Sequence, residues 1–317
     1  MKKLKGLLLT EGMHGMISQV EGLAKALDLD FTHHKVELNN FWKLIPPKLT
    51  PISNKVYKHF DATNYDIIIS CGRKSVVPSI YLKKNSQKKI INIHIQDPKV
   101  NLKHFDIIVT PEHDGVTGDN VISSKGAIHY LTEQEISSSK DYLVGRLDNK
   151  KNYLGLIIGG PNKYYNYSNQ IIERVLLKVK KISELNKLQV IAIPSIRTPK
   201  NIITMISEIL GENHIAINEV DKRAYLSTLA ISKYLVVTCD STSMISEAAI
   251  TGKPIYVAQM GAKKNNLRFQ KFFSQFKQLN IIKDLTDKID LWSYNKLDEV
   301  KKISPIIIEK MKKNGII

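Results

Sequence analysis

Cysteine is scarce in this chain, which has only two among 317 residues. Cys71 and Cys239 lie far apart, and each follows a strand-like run. We therefore expect buried, reduced thiols and no disulfide framework. The HExxH and CxxC sequences that often hold zinc are also absent. The sequence thus predicts neither a metal site nor a bound cofactor.

Long hydrophobic runs are missing as well. No apolar run approaches the roughly 20 residues that a membrane-spanning helix needs. The first residues, MKKLKGLLLTEG, contain a short apolar stretch that predicts a first strand better than a signal peptide. These features favour a cytoplasmic protein, with peripheral attachment at the inner membrane as the membrane role left open.

Arginine is rare although the chain is strongly basic. The formal net charge is +17, from 47 basic and 30 acidic residues, and only six of the basic residues are arginine. The lysines are spread along the whole chain, without the arginine-rich or aromatic-interleaved block that is typical of nucleic-acid binding. We expect a solvated surface that favours anionic lipid or phosphate ligands, and we do not expect nucleic acid as a partner.

Strand-like runs alternate with helical patterns along the chain, as in βαβ units with parallel sheets. The alternation pauses in a polar stretch and then restarts. We predict an α/β protein with two Rossmann-like domains, residues 1–130 with six strands and 151–290 with five, a linker at 131–150 and a helical tail at 291–317. Ligands of parallel sheets bind beyond the carboxyl ends of the strands, so two facing sheets would form a cleft there.

The loops after the strands of the first half carry candidate acceptor-side and catalytic residues. TEGMHGMISQ, residues 10–19, places two glycines before a helix whose positive end suits an anion, although it is neither a Walker motif nor GxGxxG. An ordinary turn or helix cap would explain these loops equally well. The acceptor or phosphate-side candidates are Gly12, Gly15, Gln19 and Arg73. The candidate general bases, of which at most one would act, are His14, Asp97, His113 and Asp114.

Three loops of the second half carry the candidate ligand-binding residues. They read GGPNKYY (159–165), PSIRTPK (194–200) and CDSTS (239–243). Adjacent glycines let a backbone approach a ligand closely, and guanidinium, amide and hydroxyl groups can reach a phosphate. A helix cap explains Ser243 but leaves Glu247, one turn inside the next helix, without a partner. The candidates are Gly159, Gly160, Asn162, Ser195, Arg197, Thr198, Asp240, Ser241, Ser243, Met244 and Glu247.

The last of these loops and its helix resemble the donor site of GT-B glycosyltransferases, in which Glu-Ala is followed by Gly-x-Pro. The matching residues are Glu247-Ala248, Gly252 and Pro254. The chain resembles the Elm-type mitochondrial-fission family, which holds many bacterial members called glycosyltransferases. The segments that carry this resemblance are, in this order, EGMHGMISQVEGLAKAL, SCGRKS, IQDP, PEHD, GGPN, SIRTP and DSTSMISEAAITGKPIY. The resemblance spans residues 5–275, and one departure is Met16, where many bacterial members carry a histidine.

The resemblance implies a nucleotide-sugar as substrate. Glu247 would accept hydrogen bonds from the two ribose hydroxyls, and residues 240–243 would face the diphosphate. The predicted function is a metal-independent glycosyltransferase that moves a sugar to a hydroxyl acceptor, either lipid-linked or part of an envelope glycan. The alternatives are a non-enzymatic adaptor, because plant members recruit dynamin-related proteins to mitochondria, and a sugar-nucleotide epimerase on the same fold.

An aromatic and proline-rich loop indicates which class of acceptor the protein could use. NNFWKLIPPKLTP, residues 39–51, places Phe41, Trp42 and Leu44 beside lysines. Exposed apolar side chains next to lysines suit a lipid surface or a lipid-linked acceptor. The alternative is a long loop that packs on its own core.

Overall fold

The computed structural model describes residues 3–60, 62–263 and 266–313. The chain divides into two compact units, residues 1–130 with 298–317 and residues 131–297. Within the described residues, each unit is built on a six-stranded parallel sheet. The predicted α/β class with two Rossmann-like domains is therefore confirmed.

The strands and helices alternate along the chain. The strands are β1 Lys5–Thr10, β2 Asp30–Lys35, β3 Ile67–Cys71, β4 Ile91–Ile95, β5 Ile107–Pro111, β6 Val121–Ser124, β7 Asn152–Ile158, β8 Leu188–Pro194, β9 Ile215–Ala216, β10 Tyr234–Thr238, β11 Ile255–Ala258 and β12 Ile282–Asp284. The helices are α1 His14–Ala26, α2 Val76–Lys84, α3 Glu133–Ser138, α4 Asn169–Leu185, α5 Lys200–Leu210, α6 Lys222–Ile231, α7 Thr242–Ala249, α8 Leu267–Gln278 and α9 Glu299–Lys313.

Both sheets have an interior of nearly continuous apolar strands. In the first unit, β3, β4 and β5 are buried along their whole length. Strands that are covered by helices on both faces have this pattern, because neither face meets water. Helix α1 packs Val20, Leu23 and Ala24 into this core, as its spacing predicts. The far end of the chain completes the same core, because Ile307 and Met311 of α9 are buried in it.

The strand order of each sheet reverses at one point. The second sheet has the order β12-β11-β10-β7-β8-β9, which is the Rossmann arrangement with its reversal at β7 and β10. The first sheet has the order β2-β1-β3-β4-β5-β6, with its reversal at β1 and β3. Ligands of open α/β sheets bind outside the carboxyl ends of the strands at such reversals. Ligand-binding residues are therefore expected in the loops that follow β1, β3, β7 and β10.

The structure adds elements that the sequence patterns did not predict. Helix α8 buries Phe269, Phe272, Phe273 and Phe276, a helical spacing that could have been recognised. Strand β12 is a three-residue edge strand, too short to give a pattern. Residues 131–150, expected as a linker with a short helix, contain α3 and two short 3-10 turns. They belong to the second unit, where Leu143 is fully buried.

Candidate functional site

The loops after β7 and β10 meet at the reversal of the second sheet. The Gly159 N–H donates to Thr238 Oγ1 over 2.8 Å, and the Gly160 N–H donates to Asp240 Oδ2 over 3.0 Å. The Asn162 side-chain amide donates to the Asp240 carbonyl over 2.9 Å. Residues that lie about eighty positions apart in the sequence are thus joined into one cluster.

The centre of this cluster is the Asp240 carboxylate, whose side chain is fully enclosed. Besides the Gly160 N–H, it accepts the Arg197 guanidinium over 2.7 Å and the Thr238 hydroxyl over 2.6 Å. Arg197 also donates to the Gly160 carbonyl over 2.9 Å. We call Gly160, Arg197, Thr238 and Asp240 the Asp240 clamp. The sequence predicted that Asp240 faces a diphosphate, whereas its carboxylate holds three loops of the protein together.

The paired glycines are required by this clamp. A Cβ added at Gly159 would lie 2.1 Å from Asp240 Oδ2, and one at Gly160 would lie 2.0 Å from the Arg197 carbonyl oxygen. Both distances are far below van der Waals contact. The protein's own side chains and backbone already demand glycine here, so the Gly-Gly pair by itself does not indicate a ligand.

We expect Gly159→Ala to lower the free energy of unfolding of the second unit by about 2 kcal/mol, because overpacking at an enclosed position forces side chains and backbone apart. The matched control is Gly145→Ala in the same unit, where no atom lies within 4 Å of the new Cβ. Urea denaturation of both variants measures the difference. Equal stabilities would show that the loop moves aside freely and that the close packing is not restrictive.

The predicted hydroxyl donors of the loop after β8 are bonded mainly to backbone. Thr198 Oγ1 donates to carbonyls at the end of β7, 2.9 Å from Ile158 O and 2.8 Å from Gly159 O. It also accepts the Ser195 N–H over 2.8 Å, while Ser195 Oγ accepts the Arg197 N–H over 3.2 Å. These two residues therefore shape the turn that delivers Arg197 to the clamp.

Helix α7 begins at Thr242, with Ser241 as its N-cap instead of the expected Ser243. The Ser241 hydroxyl accepts the Met244 N–H over 3.4 Å. Ser243 is half-buried in the first turn. The first turn of a helix presents unpaired N–H groups and the positive end of the helix dipole. This turn directly follows the Asp240 clamp at the reversal of the second sheet, and its unpaired N–H groups are of the kind that suits an anion.

Glu247 lies one turn further along α7 and is buried. Its Oε2 accepts the Tyr225 hydroxyl of α6 over 2.8 Å. Burial raises the pKa of the Glu247 carboxyl to about 7, against the smaller opposing effect of the Tyr225 hydrogen bond. Sequence reasoning missed Tyr225, because nothing in its local pattern indicates a partner 22 residues away.

The reversal of the first sheet carries an acid that the sequence analysis also missed. Glu11 follows β1, and its carboxylate accepts the Lys74 N–H over 3.1 Å and lies 3.3 Å from Lys74 Nζ. Gly72 takes a φ of +91°, and a Cβ there would lie 2.6 Å from Met16 Sδ and 3.1 Å from Glu11 Oε1. The position of Glu11 directly after a strand could have indicated it.

The predicted acceptor-side residues mostly bond to local backbone. The Gly12 N–H donates to Thr10 Oγ1 over 3.0 Å, and the Gln19 side-chain amide donates to the Gly15 carbonyl over 3.0 Å. Arg73 donates to the carbonyls of Ile45, over 3.0 Å, and Lys43. Arg73 thus braces the aromatic loop of residues 39–51.

The four candidate bases lie after different strands. His14, exposed at the start of α1, places Nε2 3.4 Å from the Tyr130 hydroxyl. Asp97, after β4, accepts the Lys99 N–H over 2.9 Å. His113 and Asp114, after β5, are enclosed, and His113 Nε2 lies 3.7 Å from Asp114 Oδ1, too far for a hydrogen bond. Which of them acts as a base stays a prediction.

Comparison with known proteins places this chain in a family. The family model described as mitochondrial fission ELM1 matches residues 14–311. The chain belongs to this family. A relative from Rickettsia prowazekii (strain Madrid E), "Uncharacterized protein RP120", is 26% identical and aligns over 76% of this chain and 78% of its own length. The mitochondrial fission protein ELM1 of Arabidopsis thaliana is 25% identical over 78% of this chain but only 64% of its own length.

Solved structures share the fold of this ELM1-family chain. The UDP-GlcNAc 2-epimerase of Neisseria meningitidis, bound to UDP-GlcNAc, superposes with a TM-score of 0.54 at 13% identity and covers 98% of this chain and 100% of its own. The spinosyn forosaminyltransferase SpnP superposes with a TM-score of 0.51 at 10% identity, covering 98% and 96%. At these identities, the likeness shows the fold, which GT-B glycosyltransferases and UDP-GlcNAc 2-epimerases share.

Proposed function

We propose that the second unit binds a nucleotide-sugar at the reversal of its sheet and that the protein is a GT-B-type glycosyltransferase. The observation that carries the proposal is the buried carboxylate of Glu247, one turn behind the first turn of α7. This spacing lets one helix offer N–H groups to a diphosphate and a carboxylate to a ribose diol. The UDP-GlcNAc carried by a structural neighbour supports this class of ligand.

The proposed division of roles follows from which groups remain available. The Asp240 clamp already uses the Gly160 N–H and part of the Arg197 guanidinium. The charge of the leaving diphosphate would therefore be stabilised mainly by the first turn of α7, with the Ser241 and Ser243 hydroxyls beside it. Arg197 and Asp240 would act as positioning residues. A general base would accept the proton of the acceptor hydroxyl.

Isothermal titration with UDP-, GDP-, CDP- and ADP-sugars tests the proposal. We expect one of them to bind with a stoichiometry of one, and Glu247→Ala to weaken that binding at least tenfold. Glu208→Ala, which removes an exposed acid on α5, is the matched control. The absence of binding by all four nucleotide classes would refute the proposal.

A second candidate function is sugar-nucleotide epimerisation, which the fold similarity to UDP-GlcNAc 2-epimerases favours. An epimerase converts its nucleotide-sugar without an acceptor, so NMR of the sugar after incubation with protein alone separates the two activities. A non-enzymatic adaptor would instead leave the nucleotide-sugar unchanged, and Glu247→Ala would then preserve its cellular function.

The loop of residues 39–51 would contact the acceptor or a lipid surface. Phe41, Leu44 and Leu49 are 67%, 84% and 72% exposed, whereas Trp42 packs against the hydrophobic core. Lys43 and Lys48 lie on the same loop. Apolar side chains that project beside lysines suit an anionic lipid surface or a lipid-linked acceptor. Within the described residues, no helix is long and apolar enough to span a membrane.

We expect Leu44→Ser to reduce flotation with vesicles of one-third phosphatidylglycerol by several-fold, because it removes the most exposed apolar side chain of the loop. Leu185→Ser in the second unit is the matched control, since Leu185 is 67% exposed. Flotation with vesicles of phosphatidylcholine alone, which carry no net charge, measures how much of the binding depends on anionic lipid. Equal flotation of both variants would reject the role of the loop.

A further inference from the structure

The second unit contains a basic cavity away from the candidate site. Its volume is about 230 Å³, far above the roughly 15 Å³ that admits one water molecule. It lies at the ends of α6 and α7, just before β10 and β11 begin. Asp240 precedes the first turn of α7, whereas Ile250 and Thr251 follow its last turn, so this cavity lies at the other end of α7 from the Asp240 clamp.

We propose that this basic cavity binds a small organic anion, with a phosphate or carboxylate head and an apolar body, independently of the nucleotide-sugar site. Its wall carries three lysines, Lys140, Lys253 and Lys296, against a single acid, Glu133. Glu133 is already paired with Lys296. Positive charge therefore gathers around the cavity without an equal number of carboxylates, and a bound anion would offset it.

Hydrogen bonds to α6 anchor two of the lysines. Lys253 Nζ donates to the Leu229 and Ala230 carbonyls over 2.7 and 2.5 Å. The backbone of Lys140 is anchored by Ser227 of α6, whose hydroxyl donates to its carbonyl over 3.0 Å. Burial and, to a smaller extent, the nearby charge of Lys140 lower the pKa of Lys253 to about 8. An anion close to both ammonium groups would relieve this repulsion.

The other residues that line the cavity indicate that the ligand has an apolar part. Ile136, Leu229, Ala230 and Ile250 provide apolar surface, and Thr251 and Ser137 add hydroxyl groups. Such a wall favours a ligand that buries carbon atoms beside its charged head over a free inorganic ion.

Lysines near the carboxyl ends of helices can also have a purely structural role. Their positive charge stabilises the negative end of the helix dipole. That role accounts for Lys253, which caps the final carbonyls of α6. It does not account for Lys140, whose ammonium group makes no hydrogen bond or ion pair within the described residues, or for the open volume beside it.

Phenyl phosphate is a suitable probe, since it joins a phosphate to an apolar ring. Calorimetry and ³¹P line broadening with the full chain are expected to show one site that binds phenyl phosphate at least fivefold more tightly than inorganic phosphate. The double variant Lys140→Gln/Lys296→Gln should weaken binding at least tenfold. Lys271→Gln/Lys288→Gln, which removes the same charge from exposed positions of the second unit, should leave it unchanged.

Two further measurements decide where the probe binds. Ala230→Phe, which fills the cavity but keeps every lysine, should abolish binding. Saturating UDP-GlcNAc should not affect it. The proposal is overturned if phenyl phosphate does not bind, if both lysine double variants behave alike, if inorganic phosphate binds equally well, or if UDP-GlcNAc displaces the probe.

Discussion

Asp240→Ala is expected to lower the free energy of unfolding of the second unit by about 3 kcal/mol. The enclosed carboxylate satisfies the Gly160 N–H, the Thr238 hydroxyl and the Arg197 guanidinium at once. Removing one partner of such a pair leaves a buried charge and polar groups unpaired, which costs roughly 3–5 kcal/mol. The lower end applies because the Arg197 side chain is 32% exposed and can be partly rehydrated. In a unit of this size, the loss would lower Tm by roughly 6–12 °C.

The two tryptophans allow this measurement to be made on one unit. Trp42 lies in the first unit and Trp292 in the second, so urea denaturation of Trp42→Phe proteins reports on the second unit alone. Asp287→Ala is the matched control, because this exposed acid of the same unit pairs with Lys178 and Lys181. Exposed pairs contribute about 1 kcal/mol or less. Similar losses in both variants would mean that the Asp240 clamp is no more important than a surface ion pair.

The second large effect concerns Glu247 and pH. If its carboxylate accepts two ribose hydroxyls, only the ionised form binds fully. With a pKa of about 7, about one tenth of the protein is ionised at pH 6 and nine tenths at pH 8. We therefore expect the affinity for the bound nucleotide-sugar to be about tenfold weaker at pH 6 than at pH 8. Both phosphates of a nucleotide-sugar are esterified, so the ligand itself does not titrate in this range.

The Glu247→Gln variant checks the cause of this pH dependence. Its affinity should be weaker than that of the wild type at pH 8 and should not change between pH 6 and 8. Calorimetry in buffers of different ionisation enthalpy should also show proton release on binding by the wild type only. A pH dependence that persists in Glu247→Gln would assign the titration to another group.

Glu247 should also reduce stability at neutral pH. Its folded-state pKa of about 7 lies above the ordinary value near 4.5, so between these values the folded state holds more protons than the unfolded state. Stability therefore falls as pH rises through this window, by a total of about 3 kcal/mol. Glu247→Gln should accordingly stabilise the unliganded protein at pH 8 but not at pH 4. This loss of stability would be typical of a functional site if Glu247 binds the nucleotide-sugar as proposed.

The class of fold could be predicted because each strand and helix carries its own apolar pattern in a short stretch of sequence. Runs such as Ile67–Cys71 and Tyr234–Thr238 are buried and mainly apolar, and helices such as α1 and α4 show apolar stripes at helical spacing. Strand β12 was missed because three residues at a sheet edge carry almost no periodic signal. The reversal of strand order cannot be seen in the sequence at all, because it depends on which strands pair.

The sequence could predict which loops carry the candidate residues, but it could not predict the hydrogen bonds between their side chains. The strand-end pattern placed Gly159, Arg197 and Asp240 in the loops after β7, β8 and β10, where the structure has them, while their role in ligand binding stays a prediction. The sequence could not show that Arg197 and Asp240, 43 residues apart, bind each other instead of a ligand. Long-range side-chain pairs of this kind are set by tertiary packing, and they decide which donors a substrate can still reach.

Helix α9 has a consequence for biosynthesis. The first unit needs Ile303, Ile307 and Met311 in its core, although its sheet is complete by residue 124. During translation, the first unit therefore cannot finish folding until α9 has left the ribosome, whereas residues 131–297 can fold as soon as they emerge. The second-synthesised unit should reach its native state first, and the nascent N-terminal sheet should remain exposed to chaperones for most of synthesis.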